Sequence, residues 1–190
     1  MMSTTEVAGF VLALVMVVCS IKELHWSWPL AIASSVLYFF VFKGSLLYGE
    51  AGLHILFAAL ALWGWWQWLR KGADAQPALV IQRLSSRGWW WVLISSALLW
   101  PALALLLQHF TDSNVAWWDA LPTALSLVDQ VLLGRKYIDN WRVWGVVNVI
   151  SVALFVHKEL WLTALLYVLF TAMSVWGWRA WQRKLQMQTA

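Results

Sequence analysis

The chain has 190 residues, of which 62% are hydrophobic and only 12% charged, with a mean hydropathy of +0.68. So much apolar surface cannot be hidden in one small core, which excludes an ordinary soluble domain and makes the bilayer the solvent. The formal net charge of +4 reads as a membrane-topology signal rather than as a nucleic-acid footprint.

In chain order, uncharged runs at 7–21, 26–42, 51–69, 88–111, 120–128, 143–156 and 160–178 predict seven membrane spans. Several fall short of the roughly 20 residues that an isolated spanning helix wants. Flanking Trp and snorkelling Lys or Arg extend the effective length, and helices inside a bundle tolerate mismatch. Helices rather than barrel strands follow from the run lengths, since barrel strands would show alternating segments of about ten residues. Residues 1–6 carry no basic n-region, so the first run is expected to be a retained span and not a signal peptide. The single Cys19 excludes an intramolecular disulfide and reads as a small packing residue. Pro29 and Pro122 fall near predicted helix starts, while Pro101 lies inside the fourth span and predicts a kink. The longest loop, 72–88, is polar except at 78–81 and holds no site motif.

Drawn alternately across a membrane, the seven spans put Lys22, Arg70, Lys71, Arg83, Arg87, Arg135, Lys136, Arg142, Arg179, Arg183 and Lys184 on one side. Only Lys43 and Lys158 fall on the other. By the positive-inside rule the first side is cytoplasmic, with the amino terminus outside and the carboxyl terminus inside.

Residues 10–71 superpose on 123–184 without a gap at a shift of 113, with 19 identities in 62 pairs. Trp28 falls on Trp141 and Phe42 on Phe155, and Trp63, Gly64, Trp65, Trp68, Arg70 and Lys71 fall on Trp176, Gly177, Trp178, Trp181, Arg183 and Lys184. A repeat of this size in so apolar a chain is a transporter signature. The shift crosses four spans, an even number, so both copies must insert in the same direction. The expected architecture is an all-α, seven-helix 3+1+3 bundle forming one transporter domain over 1–190. Repeat one covers 7–71, a linker loop and inverting helix 72–111, and repeat two 118–184, with a substrate path between the repeats.

Polar groups at membrane depth mark the candidate site, because they are costly unless they face a cavity or each other. Asp119, Thr123, Ser126 and Gln130 follow helical steps of four, three and four, and Tyr137 continues that stripe. Tyr167, Thr171, Ser174 and Trp178 repeat the same steps, and Trp141, Trp144, Asn148 and Ser151 run at three, four and three. Each Ser or Thr alone reads as a packing residue, whereas the amides of Gln130 and Asn148 favour a cavity. The first repeat has Phe10, Ala13 and Val17 opposite Thr123, Ser126 and Gln130, and Ser35 opposite Asn148, so the predicted site is asymmetric. Its own contributions are Ser34, Ser35, Tyr38, His54 and Gln67, with His54 reading equally as a packing histidine. Asp129 reads either as a draw for a cationic solute or a proton, or as an interhelical bond at the cytoplasmic end. Of the 18 Trp, those at 63, 65, 66, 68, 176, 178 and 181 are expected in the interfacial belt, and Trp144 and Trp141 to stack on a flat ring.

In 123–126, in Gln130 shortly before Arg135 and Lys136, in Asn140, Trp141, Trp144 and Asn148, and in 160–167 with Gly177 and Trp181, the chain resembles the PnuC vitamin transporters. The resemblance covers nearly the whole length, with a plan similar to the SWEET sugar transporters. It implies uptake of nicotinamide riboside across the inner membrane by facilitated diffusion, as a homotrimer, with a cytoplasmic kinase trapping the product as phosphate. Similar proteins carry thiamine. The cavity residues suit a flat cationic ring on Trp or Tyr, an amide on Asn148 or Gln130, and ribose hydroxyls on Ser, Thr and Gln. A sugar facilitator would want a pocket richer in hydroxyls. An enzyme would need a convergent site, yet His25, His54, His109 and His157 are scattered, and neither metal nor cofactor is expected. The chain also lacks a P-loop pattern, which agrees with a passive carrier.

Overall fold

The computed structural model describes residues 4–44, 48–69, 79–110, 115–157, 159 and 161–189. Among them are seven α-helices: α1 (Thr4–Ile21), α2 (Ser27–Gly44), α3 (Tyr48–Leu69), α4 (Ser86–Phe110), α5 (Ala116–Gly134), α6 (Asn140–His157) and α7 (Trp161–Thr189). Of the repeated pairs, Arg70 and Lys71 lie outside the described residues, as do 72–78 of the expected linker loop and residue 111.

The helices outlast the uncharged runs that announce them. α5 begins at Ala116 and continues through Asp129 and Gln130 to Gly134, so Pro122 stands inside the helix and not at its start. A charged side chain does not interrupt a backbone ladder, because it leaves the amide donor and the carbonyl acceptor in place. α7 runs eleven residues past Trp178 through good helix formers such as Arg183, Lys184 and Leu185. Its 29 residues make a rod of about 43 Å at 1.5 Å per residue, longer than a hydrocarbon core. α4 is continuous through Pro101. Tyr137 does not extend the α5 stripe, because the chain turns at Arg135 and Lys136 and leaves Tyr137 beyond the helix.

Packing follows the repeat. α1 packs on α2 as α5 does on α6, α2 on α3 as α6 does on α7, and α1 on α7 as α5 does on α3. α4 has no counterpart and packs on α5 and α3. Small residues allow that approach: Ala104, Ala116, Ala120 and Ala124 are buried against Leu53, Leu103, Leu107 and Leu127. The two first turns are built alike. After α1, Glu23 N–H donates to Ser20 and Leu24 N–H to Cys19; after α5, Lys136 N–H donates to Leu133 and Tyr137 N–H to Leu132. Each set is a Schellman closure with a left-handed residue at its pivot, Glu23 at φ 57° and Lys136 at φ 54°.

Tryptophans lock the helices together at this end. Trp28 lies on Gly64 and Trp141 on Gly177, each glycine giving an indole the room that a Cβ would fill. Trp68 donates its indole N–H to the Leu133 carbonyl at 3.2 Å, and Trp181 donates to Ile21 at 3.1 Å, so each bond runs from one repeat to the other. Trp68 and Trp181 are buried, which removes them from the expected belt, whereas Trp66 and Trp176 are half exposed. An indole with a carbonyl within reach is better used inside than at the headgroups.

The segment 79–85 is more than a polar loop. Ile81 is buried in the main core, and Gln82 exchanges backbone bonds with Lys136 and Ile138 at 3.1 and 2.9 Å. Leu84 N–H donates to Asp139 Oδ2 at 2.8 Å, so the segment is stitched to the turn between α5 and α6.

Glu23 also accepts bonds from Lys136 and Lys184, both at 2.7 Å. Burial pushes its carboxyl up, but the two ammonium groups pull it down further, leaving it below its ordinary value. A depressed folded-state value means the contribution is full above the ordinary glutamate range and is lost as pH falls through the lowered one. Thermal denaturation in detergent therefore separates the parent from Glu23→Gln by a constant margin through neutral pH, and the margin narrows only under acid. In the same assay Gly177→Ala lowers stability by about 2 kcal/mol, because its methyl would sit 2.5 Å from the Trp141 ring.

Candidate functional site

α6 carries the most concentrated polar and aromatic face. Asn140, Trp141, Val143, Val147, Asn148, Ser151 and Leu154 are buried on this helix, and Trp141, Asn148, Ser151 and Leu154 recur at one or two helical turns. Asn140 is tied down at the helix start, its side-chain amide donating to Tyr137 at 2.5 Å. Asn148 is different. It is 0% exposed, and neither its amide nitrogen nor its amide oxygen has a hydrogen-bond partner. The Trp141 indole N–H, two turns earlier on the same face, is also buried and unpartnered. Buried amides are normally satisfied, and one with both ends open is a binding site in waiting or a costly defect.

Aromatic rings extend from this face onto α7. Trp141 meets Trp144 with centroids 6.0 Å apart, Trp144 lies against Phe170 at 5.3 Å, Phe170 meets Tyr167 at 5.6 Å, and Tyr167 meets Phe155 at 5.1 Å. The structure thus brings Trp141, Trp144 and Tyr167 together as expected residues of one wall. Phe170 and Phe155 complete it and were not among the expected site residues. Phe170 follows Tyr167 by three residues, a spacing that places it on the same helix face, but Phe in an apolar run carries no polar label.

The hydroxyl stripes behave otherwise. Thr123 donates to Asp119 at 2.9 Å, Thr171 to Tyr167 at 2.8 Å and Ser174 to Thr171 at 2.7 Å, so these hydrogens stay on their own helices. Their lone pairs remain available. Ser174 packs against Gly145, where a Cβ would stand 3.1 Å from its Oγ. With Thr171, Trp178 and Trp141 it lines an open groove of about 520 Å³ between α6 and α7. Ser126 and Gln130 sit half-buried on α5, and no hydrogen bond joins either to Asn148. From the first repeat, Ser35 is buried, Ser34 is exposed, and His54 is half-buried with its ring 6.1 Å from Phe57. Tyr38 belongs to α2, but its side chain lies outside the described part of the structure.

Asp129 is buried on α5 with Oδ1 unpartnered. Arg135 does not reach it and stands 5.9 Å from the Trp63 ring centroid. A second, larger groove of about 690 Å³ opens between α3, α4 and α5, walled by Leu60, Val92, Leu99, Leu127 and Val131. Neither groove includes Asn148 in its lining.

An unpartnered buried amide weakens the empty protein by about 1 to 3 kcal/mol. Asn148→Leu, close in volume, is therefore expected to raise the melting temperature of the substrate-free protein while abolishing ligand-induced stabilisation. A variant that loses stability without ligand would show that Asn148 is bonded after all.

A family model described as nicotinamide mononucleotide transporter matches residues 3–183. The riboflavin/roseoflavin transporter RibM of Streptomyces davaonensis is 27% identical over 184 residues, spanning 93% of this chain and 84% of its own. The nicotinamide riboside transporter PnuC of Escherichia coli is 24% identical over 212 residues, spanning 95% of this chain and 85% of its own. A solved structure, the crystal structure of the vitamin B3 transporter PnuC, superposes with a TM-score of 0.73 at 24% identity, over 94% of this chain and 80% of the other. At that identity the likeness speaks for the fold, and it is the fold of an all-helical membrane protein. With its family model matched over all but the ends, this chain belongs to the nicotinamide mononucleotide transporter family.

Proposed function

We propose that this protein carries nicotinamide riboside across the bacterial inner membrane by facilitated diffusion. The observation that supports the substrate most directly is Asn148, fully buried with both ends of its amide unpartnered, one helical turn from Trp144. A carboxamide offers a donor and an acceptor side by side, so it can pair with the Asn148 amide through two bonds. A flat pyridinium ring would stack on the wall formed by Trp144, Phe170 and Tyr167, where a desolvated cation over an indole gains about 2 kcal/mol. Gln130, Ser126, Thr123 and Ser174, with Tyr38 and His54 from the first repeat, are the proposed partners of the ribose and of the path to the site.

The working cycle is alternating access between two parallel three-helix repeats, with α4 as the inverting linker. Support comes from helix contacts and turn hydrogen bonds that recur at a shift of 113. The amino terminus is outside and the carboxyl terminus cytoplasmic in this reading, which the distribution of Lys and Arg supports. Uptake down a gradient becomes net accumulation when a cytoplasmic kinase phosphorylates the product, and the assembly is a homotrimer in lipid. Riboflavin is the second reading, because RibM is 27% identical over most of both chains. Thiamine is the third, its cationic ring suiting the same wall.

Saturable uptake into proteoliposomes, measured with nicotinamide riboside, riboflavin and thiamine in parallel, tests the proposal. Nicotinamide riboside is expected to be taken up best, without an ion gradient, and Trp144→Ala to weaken its binding by about thirtyfold, the equivalent of 2 kcal/mol. Uptake of riboflavin alone, or a Trp144→Ala variant that binds like the parent, would overturn it.

A further inference from the structure

The ends of α1, α5 and α7 are joined by one acidic side chain. Glu23, in the turn after α1, accepts from Lys136 Nζ in the turn after α5 and from Lys184 Nζ on α7, both at 2.7 Å. The first bond connects equivalent positions, since 23 and 136 differ by the repeat shift of 113. The repeat has reversed the charge there, so a carboxylate and an ammonium meet where two like charges would have repelled. Both pivots are non-glycine residues in the left-handed region, a conformation that persists only when the surroundings impose it. The surroundings here are the two Schellman turns and the crossed indole bonds of Trp68 and Trp181 just beneath them. The Lys136 ammonium also stands 4.9 Å from the Trp68 ring centroid.

The cluster is shielded but not sealed. The Glu23 and Lys136 side chains expose 17% and 15% of their surface, and Lys184 exposes 40%. A fully exposed pair contributes almost nothing and a fully buried one is hard to break. Partial shielding gives a contact that holds a closed state and yet regains water on all three groups when it parts. We propose that Glu23, Lys136 and Lys184 are the latch that closes the basic end of the transport path, and that Glu23 is the residue whose release lets the two repeats separate there. This rests on the reading of the protein as a two-repeat carrier, but not on the identity of its substrate.

A distance measurement without substrate keeps the two apart. Spin labels at Leu24→Cys, in the turn after α1, and Met187→Cys, late in α7, in a Cys19→Ser background, report the separation by double electron–electron resonance. The parent is expected to show one dominant short separation. Glu23→Gln shifts most of the population to a longer one, the Lys136→Met, Lys184→Met pair does the same, and Lys184→Met alone shifts a smaller share. Lys22→Gln, at an exposed lysine next to the cluster, removes a charge without touching the latch and leaves the parent distribution in place. An unchanged distribution in Glu23→Gln, in protein that still melts cooperatively and takes up its vitamin, would overturn the latch. A shifted distribution in a protein that takes up none of the tested vitamins would instead overturn the substrate and leave the latch standing.

Discussion

Each helix end leaves carbonyl groups with no partner in the helix, and in a membrane protein little water is at hand to repair the loss. At the end of α1 the Ile21 carbonyl accepts from the Trp181 indole N–H of the opposite repeat, and at the end of α5 the Leu133 carbonyl, which already accepts from Lys136 N–H, takes a second bond from the Trp68 indole. Much of the bundle depends on this crossed pair. It fixes how α7 meets α1 and how α3 meets α5, and it brings Trp28, Trp68, Trp141 and Trp181 into one core with Ile81 and Ile138 beneath the turns. Without a hydrophobic drive between helices in lipid, such close packing and interhelical bonding are what hold a bundle.

A frame built this evenly makes its exceptions informative. Trp28 and Trp141 do the same work on Gly64 and Gly177, yet two turns further along the same helices one copy has Ser35 and the other Asn148. Both positions are buried, but only the second brings a two-ended amide that the protein leaves unpartnered. The aromatic wall is fuller in the second repeat: Trp141, Phe155 and Phe170 have Trp28, Phe42 and Phe57 as counterparts, but Ala31 and His54 stand opposite Trp144 and Tyr167. Symmetric packing with asymmetric polarity is what a duplicated bundle needs if it is to hold a substrate that has no symmetry of its own.

The helices were legible because uncharged apolar runs in so hydrophobic a chain admit few other structures, and the pairing of the halves was legible because tryptophan and glycine recur together at one shift. Helix ends were not, since charge marks a membrane boundary while backbone geometry marks a helix end; α5 passes Asp129 for that reason. Trp68 and Trp181 were misplaced because a sequence shows an indole near basic residues but not the carbonyl waiting for it. The hydroxyl stripes of α5 and α7 were correctly periodic, but periodicity tells which residues share a face and not where their hydrogens go. The reversed charge at 23 and 136 was visible in the repeat alignment and needed only the two turns placed side by side to become a contact.

The unpartnered Asn148 and the tightly bonded basic end are parts of one argument. A protein that keeps an unsatisfied amide at full burial must have enough packing elsewhere to tolerate it. Here that reserve lies within two turns on the same helix, where Trp141 fills the space over Gly177 and meets Trp181, itself bonded to α1. The same helix therefore carries the open amide and one of the most constrained side chains of the core. Asn148 lies on α6, and α6 is tied at Asn140 to Tyr137, in the turn that the Lys136–Glu23 bond joins to the turn after α1. The open amide at Asn148 and the bonded turn at Asn140 are thus about two helical turns apart on one helix.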